Sequence, residues 1–263
     1  MKGGPSLIGV SEIENRKVLE DLISTPPLSK TTYNIVHFDS PDRRGVDVAL
    51  LYQPAIFKVT NTKSVRLSLP DKPDWFTRDQ LVVSGLLDGE PIHVIVNHWP
   101  SRSGGEKATA PLRQAAASLC RSIADSLMKL NPTAKIIIMG DLNDNPTDIS
   151  LVKKLMARKS PEETKPGDLF NPMYKMYKQE GLGSLAYRDS WSLFDQLIVS
   201  QPLLGEDKSS FKLYKTKIFN RPFLTQKEGA FTGYPKRTYA GGVFQGGYSD
   251  HFPVYLFLIK EKK

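Results

Sequence analysis

The chain has 263 residues, 40% hydrophobic and 24% charged, a balance that excludes a wholly disordered or collagen-like polypeptide and allows one or two domains. Its 36 basic against 28 acidic residues give a formal charge of +8, which favours polyanionic ligands such as nucleic acid, phosphate esters or anionic membranes. A single cysteine excludes an internal disulfide and a cysteine-based zinc cluster, and no apolar run approaches the roughly 18–20 residues that span a bilayer.

Residues 7–10, Leu-Ile-Gly-Val, read as a short buried strand. The run is too short for a signal-peptide core and leads into acidic residues, so the chain as given carries no export signal and its compartment stays open. Val18, Leu19, Leu22 and Ile23 recur at helical spacing, which predicts a helix over 15–23 that Thr25-Pro26 ends. Strands are expected over 34–38, 46–52 and 64–69, the last from the alternation of Val65, Leu67 and Leu69. Strands over 80–87 and 92–97 bracket Asp88-Gly89, a hairpin signal.

The longest helix is expected over 112–130, with Ala115, Ala116, Leu119, Ile123, Leu127 and Leu130 on one side and Cys120 as a small buried hydrophobe. Strands follow over 135–139, 193–199 and 254–259. The stretches 160–190 and 201–249 show little periodicity, and loops of that length often serve as lids or binding surfaces. One domain over 1–263 is expected, an α+β sandwich of two packed, mainly antiparallel sheets flanked by helices.

Polar residues gather at the ends of these strands. Asp141 and Asn143 follow the 135–139 strand through Gly140, and residues two apart in an extended segment point to one side. His98 ends the 92–97 strand, Glu12 follows the first strand, and Asp250-His251 precedes the last. Asp195 lies in an apolar segment, where an unpaired carboxylate is costly to bury, so a histidine partner is expected. Each has a blander alternative: an Asx turn after residue 140, a structural hydrogen bond for His98, a helix-capping acid at Glu12. Together they form an oxygen-rich donor set with imidazoles, which suits Mg²⁺ or Mn²⁺ better than zinc and matches what phosphate-ester hydrolysis requires.

Five blocks in chain order resemble the endonuclease/exonuclease/phosphatase superfamily, the fold of DNase I and exonuclease III. They are Leu7-Ile8-Gly9-Val10-Ser11-Glu12-Ile13-Glu14-Asn15, Asn97-His98-Trp99-Pro100-Ser101-Arg102, Gly140-Asp141-Leu142-Asn143-Asp144, the segment around Asp195, and Ser249-Asp250-His251-Phe252-Pro253. The resemblance implies a four-layer α/β sandwich and roles for the matching residues. Glu12 would bind the metal, with Glu14 as its rival, and Asp250 would be a second metal ligand. His98 and His251 would contact the scissile phosphate, and Asp195 would buttress His251. Asp141 would orient or deprotonate the attacking water, and Asn143 would hold a phosphate oxygen. Arg43-Arg44-Gly45-Val46-Asp47 is similar to a further element of bacterial members, in which Arg44 would touch phosphate and Asp47 would brace the site; Arg102 is a second phosphate candidate.

The implied function is a Mg²⁺-dependent phosphodiesterase, with Mn²⁺ as a substitute and nuclease activity leading. A phosphoinositide- or sphingomyelin-type phosphoesterase of the same fold is the alternative. Family members carry an Asn-bearing strand ahead of the Glu block, and no such segment precedes Leu7 here. Either the chain is N-terminally truncated or begins late, or another segment replaces that strand; a chain impaired in catalysis or stability that binds polyanions or metal without turnover is the third alternative, with strand exchange between protomers as a route to dimers. The stretch 208–248 interleaves Lys212, Lys215, Lys217, Arg221, Lys227, Lys236 and Arg237 with Phe211, Tyr214, Phe219, Phe231, Tyr234 and Tyr239, a pattern able to grip a nucleic-acid backbone and stack bases, or else a solvated loop over an aromatic mini-core.

Overall fold

In the computed structural model, residues 4–26 and 28–261 are described. Their strands are β1 (Leu7–Ile13), β2 (Asn34–His37), β3 (Asp47–Tyr52), β4 (Phe57–Val65), β5 (Gln80–Leu87), β6 (Glu90–His98), β7 (Ile136–Asp141), β8 (Ala157–Arg158), β9 (Leu169–Phe170), β10 (Leu185–Tyr187), β11 (Ser190–Ser192), β12 (Asp195–Ser200), β13 (Lys212–Ile218), β14 (Tyr239–Ala240), β15 (Val243–Phe244) and β16 (Val254–Ile259). The helices are α1 (Arg16–Ser24), α2 (Glu106–Leu130) and α3 (Met173–Lys178).

One sheet has seven strands in the order β4-β5-β6-β7-β12-β9-β8. Its pairs are antiparallel except β6–β7 and β8–β9. Ile136, Ile137 and Ile138 of β7 are buried on both faces, which explains why this strand reads as a continuous apolar run. On one face α2 lays Ala116, Ala117, Cys120, Ala124 and Met128 against Ile95, Ile136, Ile138 and Ile198. The opposite face packs against β1-β3-β2 and against the pair β13-β16, through Val36, Val48, Leu50, Leu213, Val254 and Leu256. Helix α1, capped by the Asn15 side chain on the Val18 amide, covers the outside of the three-stranded sheet with Leu19 and Ile23 against Ile8, Val10, Ala49 and Leu51.

The layer facing the seven-stranded sheet is in two parts. Strand β1 pairs with β3 along one edge and β16 pairs with β13 along one edge, and among the described residues no strand joins β1 to β16. All six residues of β16, Val-Tyr-Leu-Phe-Leu-Ile, are therefore half-buried despite their apolar character.

Three expectations need correction. The strand expected over 64–69 lies earlier, as β4. Leu67 is buried as the alternation requires, but it packs from an irregular segment, while β4 itself is an edge strand with polar residues outward. Helix α2 begins at Glu106 and carries Pro111 within it, so the proline sits in its second turn and does not mark its start. The weakly periodic stretch 201–249 contains β13, whose Lys-Leu-Tyr-Lys-Thr-Lys-Ile sequence disguises an edge strand.

Candidate active site

Three of the expected residues form one row across the seven-stranded sheet. His98 ends β6 in register with Asp141 at the end of β7, and Asp141 is in register with Asp195 at the start of β12. Side chains in one row across adjacent strands project from the same face, so sheet geometry alone gathers them. Gly140 makes the row attainable. Its φ is +131°, and a Cβ there would lie 1.9 Å from the Asn97 carbonyl oxygen on β6.

His251, just ahead of β16, completes the row from the facing layer. Its Nδ1 lies 2.7 Å from Asp195 Oδ2, which also accepts from the Ser184 hydroxyl at 2.6 Å. Burial alone would lower the His251 pKa, but the carboxylates of Asp195, Asp141 and Asp250 overcome this and raise it to about 10. His251 is therefore an imidazolium at neutral pH.

His98 has the opposite character. Its side chain is 3% exposed, and burial together with the positive charges of Arg78, Arg44 and His251 pushes its pKa down to about 2. It is neutral, with Nε2 3.7 Å from Asp141 Oδ2 and Nδ1 without a hydrogen-bond partner among the described residues. Asp141 is pushed up to about 7 by burial and by the Asp195 carboxylate, against the smaller pull of His251, the Asn143 amide and Arg78. A carboxylate held near neutrality between a neutral and a charged imidazole is suited to taking a proton from water.

Asn143 sits in the left-handed region at φ +50°, with its backbone N–H donating to Asp141 Oδ1 at 2.9 Å and its Nδ2 to the Trp99 carbonyl at 3.0 Å. Arg102 holds this turn. It donates to the Asn143 carbonyl and to Asp144 and Asp148, pairs with Glu106, and lies over the Phe194 ring. This corrects the expectation that Arg102 meets substrate phosphate, because its guanidinium is consumed by the turn. The fully buried Arg113 pairs with Asp144 at 2.6 Å from the other side.

Glu12 lies at a bulge in the β1–β3 pairing with φ +60°, and its side chain is 65% exposed. Its nearest ionic neighbour is Arg44 at 3.9 Å, so the carboxylate keeps open coordination positions. Arg44 in turn contacts Asp42 and is half-exposed, free to meet an anion. Asp250 is exposed, and Glu14 points to solvent as well. Mg²⁺ takes one or two carboxylates and retains several waters, so the exposed carboxylates of Glu12 and Asp250 are each of the right chemistry to serve as ligands. A separate cluster of His37, Asp39 and Asp47 has ligand-capable atoms within 4.8 Å of one another, and Asp47 is in register with Ile13, next to Glu12. There His37 Nε2 lies 2.9 Å from Asp47 Oδ2, while Ser40 donates from its amide and hydroxyl to Asp47 Oδ1, so Asp47 braces the 38–46 loop.

Two contributors were not foreseen. Buried Arg78 donates to the carbonyls of His98 and Trp99 and pairs with Asp42 at 3.0 Å, fixing the backbone that carries His98. The Arg78-Asp79 pair ahead of a mostly apolar strand is the signal that could have revealed it. Ser184, the second donor to Asp195, lies in a stretch with no motif.

The Endonuclease/Exonuclease/phosphatase family model matches residues 1–260. The chain belongs to this family. No sequence among the curated proteins matches it. Solved structures with the same fold include TDP2 of D. rerio complexed with single strand DNA product, at 13% identity and a TM-score of 0.60 over 97% of this chain and 86% of that one. A mannosyl-6-phosphatase of Bacteroides thetaiotaomicron matches with 18% identity and a TM-score of 0.60, over 97% and 85%. The human Nocturnin catalytic domain with bound sulfate matches with 18% identity and a TM-score of 0.53, over 80% and 72%. The fold is that of family phosphoesterases, and no helix among the described residues is long and apolar enough to cross a membrane.

Proposed function

We propose that this protein is a Mg²⁺-dependent phosphodiesterase, Mn²⁺ substituting, and that its substrate is nucleic acid. The observation that carries the reading is the His98–Asp141–Asp195 row with His251 hydrogen-bonded to Asp195. Asp141 takes the proton of a water aimed at phosphorus; the new P–O bond replaces the bond from phosphorus to the leaving oxygen, which departs opposite the water and takes its proton from solvent. His251, positively charged, faces the phosphoryl oxygens and offsets the charge that grows on them. Neutral His98 donates a hydrogen bond from Nε2 to the phosphate, and Asn143 offers a phosphate oxygen the part of its amide that Trp99 leaves free. Asp195 fixes the tautomer and orientation of His251. Glu12 and Asp250 would hold the metal, which when bound supplies Lewis-acid neutralisation of phosphate charge.

The charge of +8 and the cations of 208–248 favour a polyanionic substrate, and the structure of D. rerio TDP2, which shares the fold, is a complex with a single-strand DNA product. The equally similar mannosyl-6-phosphatase supports a second reading, a phosphomonoesterase acting on a smaller substrate. A third reading, a chain that binds anions or metal without turnover, draws on the unjoined edges of β1 and β16 beside Glu12 and His251.

Plasmid DNA, bis-(p-nitrophenyl) phosphate and a sugar phosphate monoester, each with Mg²⁺, Mn²⁺ or EDTA, separate the three. EDTA-sensitive cleavage of the diesters, lost in Asp141→Asn, is the expected result. Turnover of the monoester alone would replace it with the second reading, and a folded protein that binds metal but cleaves nothing would leave the third.

A further inference from the structure

Asp42 lies on the 38–46 loop between β2 and β3, and its side chain is 7% exposed. Its two oxygens serve two different cations. Oδ1 accepts from the Arg44 backbone N–H at 3.0 Å and from Arg44 Nε at 3.4 Å. Oδ2 accepts from Arg78 Nη1 at 3.0 Å. Arg78 spends Nε and Nη2 on the carbonyls of His98 and Trp99, at 3.2 and 2.6 Å. A single carboxylate thus joins the loop that carries Arg44 to the strand end that carries His98. Burial works against its charge, yet the bonds from Arg78 and the Arg44 amide hold its pKa below the usual carboxylate range. The Gly45 amide closes the turn on the Asp42 carbonyl at 2.9 Å, with Gly45 at φ +66°. The neighbouring Arg43 is committed elsewhere, donating to the Asp74 carbonyl at 3.3 Å. Arg44 keeps a side chain 54% exposed, with Nη1 3.9 Å from Glu12.

We infer that Asp42 is a positioning residue, which holds the Arg44 guanidinium where it meets the substrate phosphate, at a separation from His98 that Arg78 fixes. The inference rests on the phosphoesterase reading and deepens it at the same site. A half-exposed arginine samples many rotamers, and freezing them on binding weakens affinity. Asp42 removes part of that cost in advance: Nε is already held, and the planar fork carries the outer nitrogens with it. The place requires a carboxylate. An asparagine offers one acceptor oxygen and an NH₂ donor, so it can serve Arg44 or Arg78 but not both, and the unserved arm meets a donor. Loss of the charge also deprives the two guanidiniums of their common counter-ion. A displacement of about 1 Å at a group that positions substrate can cost roughly a hundredfold in rate.

Calorimetric titration of the whole protein with inorganic phosphate in EDTA tests this without any need for turnover. Arg44→Ala is expected to weaken phosphate binding about tenfold, and Asp42→Asn by a similar factor. The double variant should bind no more weakly than Arg44→Ala alone, because Asp42 acts through Arg44. A merely structural Asp42 would lower stability and give losses that multiply. Arg44→Lys keeps the charge and the turn amide on an exposed side chain but has no Nε, so it should lose about fivefold, and it decides the matter if Asp42→Asn does not fold. Unchanged phosphate affinity in any of the single variants, or losses that multiply in the double variant, would overturn the assignment. Turnover of bis-(p-nitrophenyl) phosphate is scored separately. Coupled phosphate losses without turnover would sink the phosphodiesterase reading alone, and turnover with independent losses would sink the role of Asp42 alone.

Discussion

His98 and His251 are the same residue type in opposite states, and the difference is environmental. His98 is sealed among cations and stays neutral, whereas His251 is surrounded by three carboxylates and stays charged. The pH dependence follows with its sign. Asp141 must be unprotonated to act as base, and its raised pKa delays that until about pH 7; His251 must be protonated, and its raised pKa preserves that until about pH 10. The kcat/KM profile should rise through neutrality and fall on the alkaline side, and Asp141→Asn should abolish the acid limb with the activity. An activity maximum near pH 5 would contradict the assignment. His251→Ala should cost about a thousandfold in turnover and also lower Tm at neutral pH, because a histidine whose folded pKa is raised stabilises the fold until pH rises through that value. Full activity in that variant would remove His251 from the mechanism.

At the scale of elements, two features hold the strand ends in place. Gly140 lets β7 pass Asn97, and Gly140→Ala forces a Cβ into a backbone oxygen at an unfavourable φ. A loss of roughly 3 kcal/mol or more in denaturant unfolding is expected, and a loss under about 1 kcal/mol would show that the strands can part. Glu90, at the start of β6, ties the two layers at their far end. It pairs with Lys135 ahead of β7, accepts from Ser210 and the Phe211 amide ahead of β13, and pairs with Lys260 beyond β16. Burial alone would raise its pKa, but Lys135, Phe211 and Ser210 bring it down to about 2. A depressed carboxylate stabilises the fold above its unfolded pKa and loses that contribution as pH falls through the folded value. Glu90→Gln should therefore cost about 3 kcal/mol at pH 7, with the gap to the unmodified protein closing between about pH 5 and pH 2. A gap independent of pH would mean that packing, not charge, is what Glu90 contributes.

The site was legible in the sequence to the degree that backbone necessity marks it. Gly140-Asp141 and Ser249-Asp250-His251 stand out because a strand end must turn there, and that turn delivers the side chain. Arg78 was not legible as a brace, because its partners are the His98 and Trp99 carbonyls and Asp42, 36 residues away, and carbonyls leave no trace in a sequence. Strand β13 was hidden for a related reason: an edge strand satisfies solvent on one side, so lysines break its alternation.

At the scale of the whole molecule, charge decides how substrate arrives. If Lys215, Lys217, Arg221 and Lys236 engage four phosphates of a single strand, the slope of log affinity against log salt should be about −3, or about fiftyfold between 50 and 200 mM. A slope near zero in a fluorescence-anisotropy titration would exclude an electrostatic track.

The unjoined edges of β1 and β16 have a consequence of another kind. Each presents a row of backbone donors and acceptors and, on β16, a row of half-covered apolar side chains. Such edges recruit any extended strand that meets them, and like molecules meet most often. The net charge of +8 keeps copies apart at low ionic strength, and salt removes that protection. Colloidal stability and attraction for a polyanion thus depend on salt in the same sense: dilute, low-salt solution keeps the molecules separate and strengthens that attraction, while concentrated, high-salt solution weakens it and draws the bare strands together.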